Sequence, residues 1–250
     1  GTFGLPTVTP PKTNHRIAMK TTIHACNACG HKATLKLEDE MILYDSSPYG
    51  RPCISDIPVA RTGQIALLEL FCGYGVLSRR VSKAGLPVGP PGDLLFGDDF
   101  SLDSTIAKYR RIIKTQRPVL LWVAFPCTPW STWQKVNQQY HKDPSYLERW
   151  RDKYREIIRK VTELCKLQTF LGGKVAVEGP LRSAMWSDPV YMDLAYGCDL
   201  RNSQIDQCML GAVCPDTGKP FKKPTKIHNN FPREMNTLKG HMCRHAAYEH

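Results

Sequence analysis

The chain has 250 residues, 42% of them hydrophobic, enough for one sizeable core and a small appended module. Lys and Arg number 34 against 23 Asp and Glu, and the net charge of +11 favours a polyanionic partner such as nucleic acid over an acidic protein or a bare metabolite, with a merely soluble basic surface as the plain alternative. No apolar run approaches the roughly 18 residues of a membrane span and no signal-peptide pattern opens the chain, so a soluble intracellular protein is expected, nuclear in a eukaryote, with no membrane partner.

Residues 1–20, rich in Pro, Thr and Lys without periodicity, read as a flexible arm. The opening at Gly1 in such sequence reads as a piece of a longer protein or polyprotein, whose other domains are expected partners. Residues 21–63 form a small segment carrying His24, Cys26, Cys29, His31 and Cys53. Strands then alternate with helices. Residues 64–71 predict a strand, 76–84 a helix, 86–88 a short second strand, and 104–114 another helix after a Gly- and Pro-rich passage that ends near Asp99. The run 118–125 has the length and β-rich composition of a central parallel strand. Residues 144–171 are the longest helical candidate, with Leu147, Trp150, Tyr154, Ile157, Ile158, Val161, Leu164 and Cys165 recurring at intervals of three and four. Gly172-Gly173 ends that helix, and residues 174–178 begin another buried strand. A hairpin-like turn at 215–218 and a very basic limb at 219–226 follow. The βαβ series predicts an α/β fold over residues 64–232, a doubly wound, mostly parallel sheet of Rossmann-like type, with 233–250 as a tail.

The chemistry gathers at strand ends. Cys127 lies between Pro126 and Thr128-Pro129, directly after the apolar run, where α/β enzymes put their reacting groups and a thiolate can be aimed into a cleft. A packed structural thiol is the alternative. The first strand ends in Phe71-Cys72-Gly73-Tyr74-Gly75, a glycine turn that lets the backbone approach a ligand closely. Asp93, Asp98 and Asp99 follow the next short strand, where carboxylates can hold ribose hydroxyls and an adenine amine, as an adenosyl cofactor requires. Glu178 ends a later apolar strand, where burial of its charge has no other evident compensation. Trp130 and Trp133, on either side of Ser131 and next to the nucleophile, are candidates to stack on an unpaired base, whereas Tyr146, Trp150 and Tyr154 at helical spacing read as core. Lys222, Lys223 and Lys226 are candidate phosphate contacts or a solvated limb.

Phe71-Cys72-Gly73-Tyr74-Gly75, Pro126-Cys127 with Ser131, Glu178 and the basic limb, in that order, resemble the motif series of the cytosine-C5 DNA methyltransferases. The chain is most similar to the short, divergent forms of phages and of protist retroelement polyproteins, which share the character of Asp206-Gln207-Cys208-Met209-Leu210-Gly211 and Lys222-Lys223-Pro224-Thr225-Lys226. The resemblance covers about residues 64–232. It implies S-adenosylmethionine as cofactor, held by Phe71, Gly73, Tyr74, Gly75, Asp93, Asp98, Asp99 and Pro126. It implies Cys127 as the nucleophile toward C6 of cytosine, Glu178 at N3, and Lys223 in the place of the family's later basic motif. It further implies a nucleic-acid partner, DNA before RNA, contacted through Trp130, Ser131, Trp133, Lys222 and Lys226, with the target base flipped out of its stack.

The ten cysteines are spread through strand-like and helix-like segments and read as reduced rather than as a disulfide scaffold. Cys26-x-x-Cys29 has the spacing of half a zinc site, and Cys243 and His245 near the end of the chain supply partners, with Cys53 and His241 as alternates. Two readings stand: a structural zinc that staples the segment around Cys26 to the tail, or unmetallated thiols in a short hairpin.

Overall fold

The apolar runs that end at the motif residues become neighbouring strands, so the motifs meet at one edge of the sheet. In a computed structural model of the chain, the described residues are 23–25, 32–34, 57–214, 217–238 and 240–246. Two compact units are present, Gly1–Pro48 and Tyr49–His250. The first contains an antiparallel pair, β1 (Ile23–Ala25) and β2 (Lys32–Thr34), with Ile23 opposite Thr34. Cys26 and Cys29 fall between these strands and lie outside the described residues.

In the second unit, β3 (Leu67–Leu70), β4 (Leu120–Val123) and β5 (Lys174–Pro180) pair in parallel, with Leu70, Val123 and Val177 in one row. Two further strands, β6 (Arg201–Asp206) and β7 (Pro224–Asn229), complete the order β3-β4-β5-β7-β6. β7 runs antiparallel to both β5 and β6, so four strands point one way and β7 opposes them. The sheet is therefore mixed: two of its four ladders are antiparallel, which corrects the expectation of a mostly parallel sheet. The short strand expected at 86–88 is reduced to bridges, Val88 pairing with Leu67 and Val59, and Gly92 with Leu70.

Side chains alternate across the sheet and carry helices on both faces. Leu68, Leu70, Leu121, Val123, Val175 and Val177 pack against α2 (Asp103–Gln116), α4 (Tyr146–Phe170) and α5 (Pro189–Gly197) through Tyr109, Ile113, Ile158, Val161, Leu164 and Leu194. On the other face Leu67, Leu120 and Trp122 meet Leu77 and Val81 of α1 (Val76–Lys83), and Ala176 and Ile227 meet Met235 of α6 (Pro232–Met235). Each large side chain buried in this way contributes about 1.5–3 kcal/mol. α4 is the helix its periodicity predicts, and Gly172, at φ +81°, ends it in the left-handed conformation that glycine tolerates. No described helix is long and apolar enough to cross a membrane.

Residues assigned by composition to the Cys/His segment belong to this unit. Ile57 is buried beside Leu67 and Val88, and the Ala60 carbonyl accepts a hydrogen bond from Gln116 Nε2 at 3.0 Å. Likewise Met235, expected in the tail, is buried against β6 and β7 residues Ile205 and Ile227.

Candidate active site at the carboxyl ends of the parallel strands

β3 leaves the sheet through a tight, internally braced turn. Phe71, Gly73 and Gly75 all have positive φ, and Phe71 is held in this strained region by its ring, 4.5 Å from Phe100 and 5.3 Å from Phe125. The Gly73 N–H donates to Asp93 Oδ2 (2.8 Å) and the Leu95 N–H to Asp93 Oδ1 (2.9 Å), so one carboxylate closes the turn and caps the next. Buried Glu69 accepts from the Ser78 N–H (2.9 Å) and hydroxyl (2.5 Å), tying β3 to the start of α1. Burial pushes the Glu69 and Asp93 carboxyls up, against the pull of these hydrogen bonds. The Cys72 thiol is pushed far up by burial and then by the neighbouring charges of Glu69 and Asp93, so it is a poor nucleophile. Among the described residues, chain neighbours aside, no atom lies within 4 Å of where a Cβ on Gly73 would point, which leaves open space against the turn, with Tyr74 and Leu94 exposed beside it.

Asp98 and Asp99 do not join this space as expected. Asp98 is buried and accepts from Lys108 Nζ (2.6 Å) and Tyr109 Oη (2.8 Å), which commits it to anchoring α2 rather than to a ligand. Asp99 Oδ1 accepts from the Ser101 N–H (2.8 Å) in the turn that enters the same helix.

β4 ends in a more open loop. Cys127 is exposed at the start of a single helical turn, Thr128–Trp130, where its carbonyl accepts from the Trp130 N–H at 3.0 Å. Pro126 before it is half-buried. The loop is held from behind: Arg151 Nε donates to the Pro129 carbonyl (3.1 Å) and Gln134 Nε2 to that of Thr128 (3.0 Å). Trp130 is only 2% exposed, with the guanidinium carbons of Arg151 and Arg155 5.3 and 5.6 Å from its ring centre. It is a core anchor and not a platform for a base, which corrects the expectation from its position next to Cys127. Trp133, by contrast, is 71% exposed at the start of α3 (Gln134–Tyr140), and Ser131 Oγ accepts its N–H at 3.3 Å.

Glu178 lies just beyond the Leu70, Val123 and Val177 row, half-buried and paired in register with Ile227. Gln207 Nε2 donates to Glu178 Oε1 (3.4 Å) and to Thr225 Oγ1 (3.1 Å). Gln207 was missed as a site residue, although the Asp206-Gln207-Cys208 motif carried the signal. A Cβ on Gly179 would press on Trp186 Cζ2 at 3.0 Å, so the glycine lets this ring pack close to the strand. Lys226, opposite Gly179, places its amine 5.1 Å from the Trp186 ring centre, and burial lowers its pKa. Lys222 and Lys223 are exposed. The contribution of Lys223 is its backbone carbonyl, which accepts from the Gln207 N–H (3.2 Å) and Thr225 Oγ1 (3.1 Å), so no catalytic role for its side chain follows from the geometry.

Three neighbouring strand ends, about 4.8 Å apart in the sheet, thus carry a glycine turn, an exposed thiol and a half-buried carboxylate. A concavity at the opposite end, bounded by Gln64, Arg117, Pro118, Gln168 and Lys174, has no cysteine or carboxylate among its described lining residues. The expected metal ligands divide differently: Cys243 and His245 gather with Cys208, not foreseen as a ligand, their donor atoms all within 4.8 Å of one another. None of the described cysteines is disulfide-bonded. Compared with known proteins, the chain matches no family model, and no curated protein is significantly similar to it.

Proposed function

We propose that this chain is an S-adenosylmethionine-dependent methyltransferase acting on C5 of cytosine in DNA through Cys127, on a Rossmann-like sheet. The observation that carries the reading is the exposed Cys127 after β4, between the glycine turn that follows β3 and Glu178, two residues before the end of β5. The choice of DNA rests on the resemblance, and the net charge of +11 supports a nucleic acid of either kind.

The residues present fit the cofactor at one end. The Gly73 turn offers open space, Asp93 sits against its backbone, and Leu94, 45% exposed, offers an apolar surface beside it for an adenine ring. Asp98 is excluded by its partners. S-adenosylmethionine bound there would supply an electrophilic methyl group. The Cys127 thiolate adds to C6 of the cytosine, and the C5–C6 π electrons move to C5, making it nucleophilic. A proton held by Glu178 at N3 offsets the charge that develops on the ring, and Gln207 holds the carboxyl in place through Oε1. After the methyl group is taken up at C5, loss of the C5 proton to solvent breaks the S–C6 bond, restores the ring and returns the thiolate. Trp133 is the exposed aromatic surface for an unstacked base, and Lys222, Lys223 and Lys226 are basic groups for phosphate.

One observation favours a second reading, a degenerate methyltransferase fold that binds nucleic acid without reacting: Asp98 is locked to Lys108 and Tyr109. Covalent trapping separates the two. With S-adenosylmethionine and DNA containing 5-fluorocytosine, the wild-type chain is expected to form an adduct that survives denaturation, Cys127→Ala none, and Cys72→Ser about as much as wild type. A wild-type yield no higher than that of equally folded Cys127→Ala defeats the enzymatic reading, and trapping on fluorinated RNA alone moves the acceptor to RNA.

A further inference from the structure

We propose that Cys208, Cys243 and His245 bind a structural zinc ion that fastens the carboxyl-terminal segment to the end of β6. This goes beyond the methyl-transfer reading and does not depend on it.

The segment 240–246 lies at the surface. None of its residues is buried: Gly240, Met242 and Arg244 are exposed, while His241, Cys243, His245 and Ala246 are half-buried. Exposed and half-buried positions alternate from Gly240 to His245 although the backbone bends at Met242 and His245, and the inward positions carry imidazole and thiol groups rather than large apolar side chains. Apolar burial therefore contributes little to docking it. Its backbone is nevertheless pinned: the Asp206 N–H donates to the His241 carbonyl (2.8 Å), and the Cys243 N–H to Asp206 Oδ2 (2.7 Å). These bonds bring Cys243 to Cys208, which the helical turn Gln207–Leu210 presents directly after β6.

The donor spacing suits the ion. Tetrahedral zinc with bonds of about 2.3 Å to sulfur and about 2.0 Å to nitrogen separates the two donors by about 3.5 Å. Cys243 Sγ lies 3.5 Å from His245 Nδ1, and Cys208 completes a group whose donor atoms stay within 4.8 Å of one another. Two thiolates with an imidazole select a borderline-soft cation such as zinc over the oxygen-seeking magnesium or calcium. Binding releases the two thiol protons to solvent and leaves a formally neutral centre.

Asp206 is a second, independent sign. It is 3% exposed, and its Oδ1 has no hydrogen-bond partner among the described residues. Its Oδ2 holds the Cys243 N–H, which sets the carboxylate against the segment that carries the thiol and imidazole, where a metal-ligating histidine or a metal-bound water commonly finds its acceptor. His241 shares the inward face, but its Nδ1 is engaged with the Leu238 carbonyl (3.0 Å).

The test uses the full chain, purified with zinc and dialysed against metal-free buffer. Wild type is expected to retain about one zinc per chain, and Cys243→Ser and His245→Gln, both at half-buried positions that tolerate change, to bind at least about 100-fold more weakly. Cys72→Ser is expected to keep its metal. Cobalt in place of zinc should give wild type tetrahedral visible bands with a thiolate charge-transfer band, and Cys243→Ser should lack the latter. Chelation should speed tryptic cleavage at Arg244 without changing the far-ultraviolet spectrum. A folded wild type with less than about 0.1 zinc per chain overturns the proposal, as does metal retained in both variants. A Cys208–Cys243 disulfide in freshly purified protein would also overturn it, making the cluster a redox pair.

Discussion

Cys72 and Cys127 follow adjacent parallel strands, yet their surroundings differ in kind. Around Cys72 three carboxylates are committed inward: Glu69 to Ser78, Asp93 to Gly73 and Leu95, Asp98 to Lys108 and Tyr109. Burial and those carboxylates suppress its thiolate. The loop around Cys127 is braced by Arg151 and Gln134 on backbone carbonyls and leaves Cys127, Thr128 and Trp133 exposed. On the proposed function, a turn that holds a cofactor gains from rigidity, whereas a loop that meets a base gains from an unobstructed nucleophile on a firm support.

The largest test of this contrast concerns that support. Trp130→Ala should lower stability to urea by about 3–5 kcal/mol, because it empties a core position. Trp133→Ala should change stability by less than about 0.5 kcal/mol and weaken single-stranded DNA binding by about 1–3 kcal/mol in a titration. Equal stability losses would mean that the loop has no buried anchor. Next in size is the reactivity of the two thiols. Iodoacetamide labelling followed by peptide mass mapping should modify Cys127 about 100-fold faster than Cys72, and comparable rates would erase the contrast.

The smallest effect is in pH. His228, packed near Trp186 with its Nδ1 2.9 Å from Tyr191 Oη, is pushed down to about 4 by burial and then by the charge of Lys226. The unfolded chain protonates this group first, so stability should fall by up to about 2 kcal/mol between pH 6.5 and 4, after allowance for partial exposure, and level off below. His228→Gln should remove that slope in urea titrations at several pH values. Glu69 and Asp93 act in the opposite sense. Their raised pKa values let the folded state bind protons first, so their contribution grows as pH falls through them. An unchanged slope in His228→Gln would locate the acid sensitivity elsewhere.

Strong patterns were legible. β4 and α4 were readable because their apolar residues face one core and repeat with the period of the element. β6, β7 and α5 were not. In β6, Arg201 to Gln204 are largely solvated, so no apolar run marks the strand. In β7 a buried position is filled by Asn229, whose amide donates to Ser203 Oγ (3.1 Å) and the Arg201 carbonyl (3.3 Å), a polar solution that hydrophobic patterning cannot detect. α5 did carry a signal, Asp188-Pro189, with Asp188 Oδ1 accepting from the Val190 N–H at 3.1 Å.

The candidate site divides in the same way. Sequence alone determined that a glycine turn and a Pro-Cys loop each end an apolar strand and that a glutamate follows a third apolar run, in this order, because turn chemistry is a local property, whereas pairing with β7 carries β5 on past Glu178 to Pro180. Tertiary structure decided what depends on residues far apart in the chain. Lys108 and Tyr109 took up Asp98, two arginines of α4 enclosed Trp130, Gln207 came to Glu178, and Cys208 met Cys243 and His245. Burial and hydrogen-bond partnership are set by packing between elements, and one-dimensional spacing does not contain them.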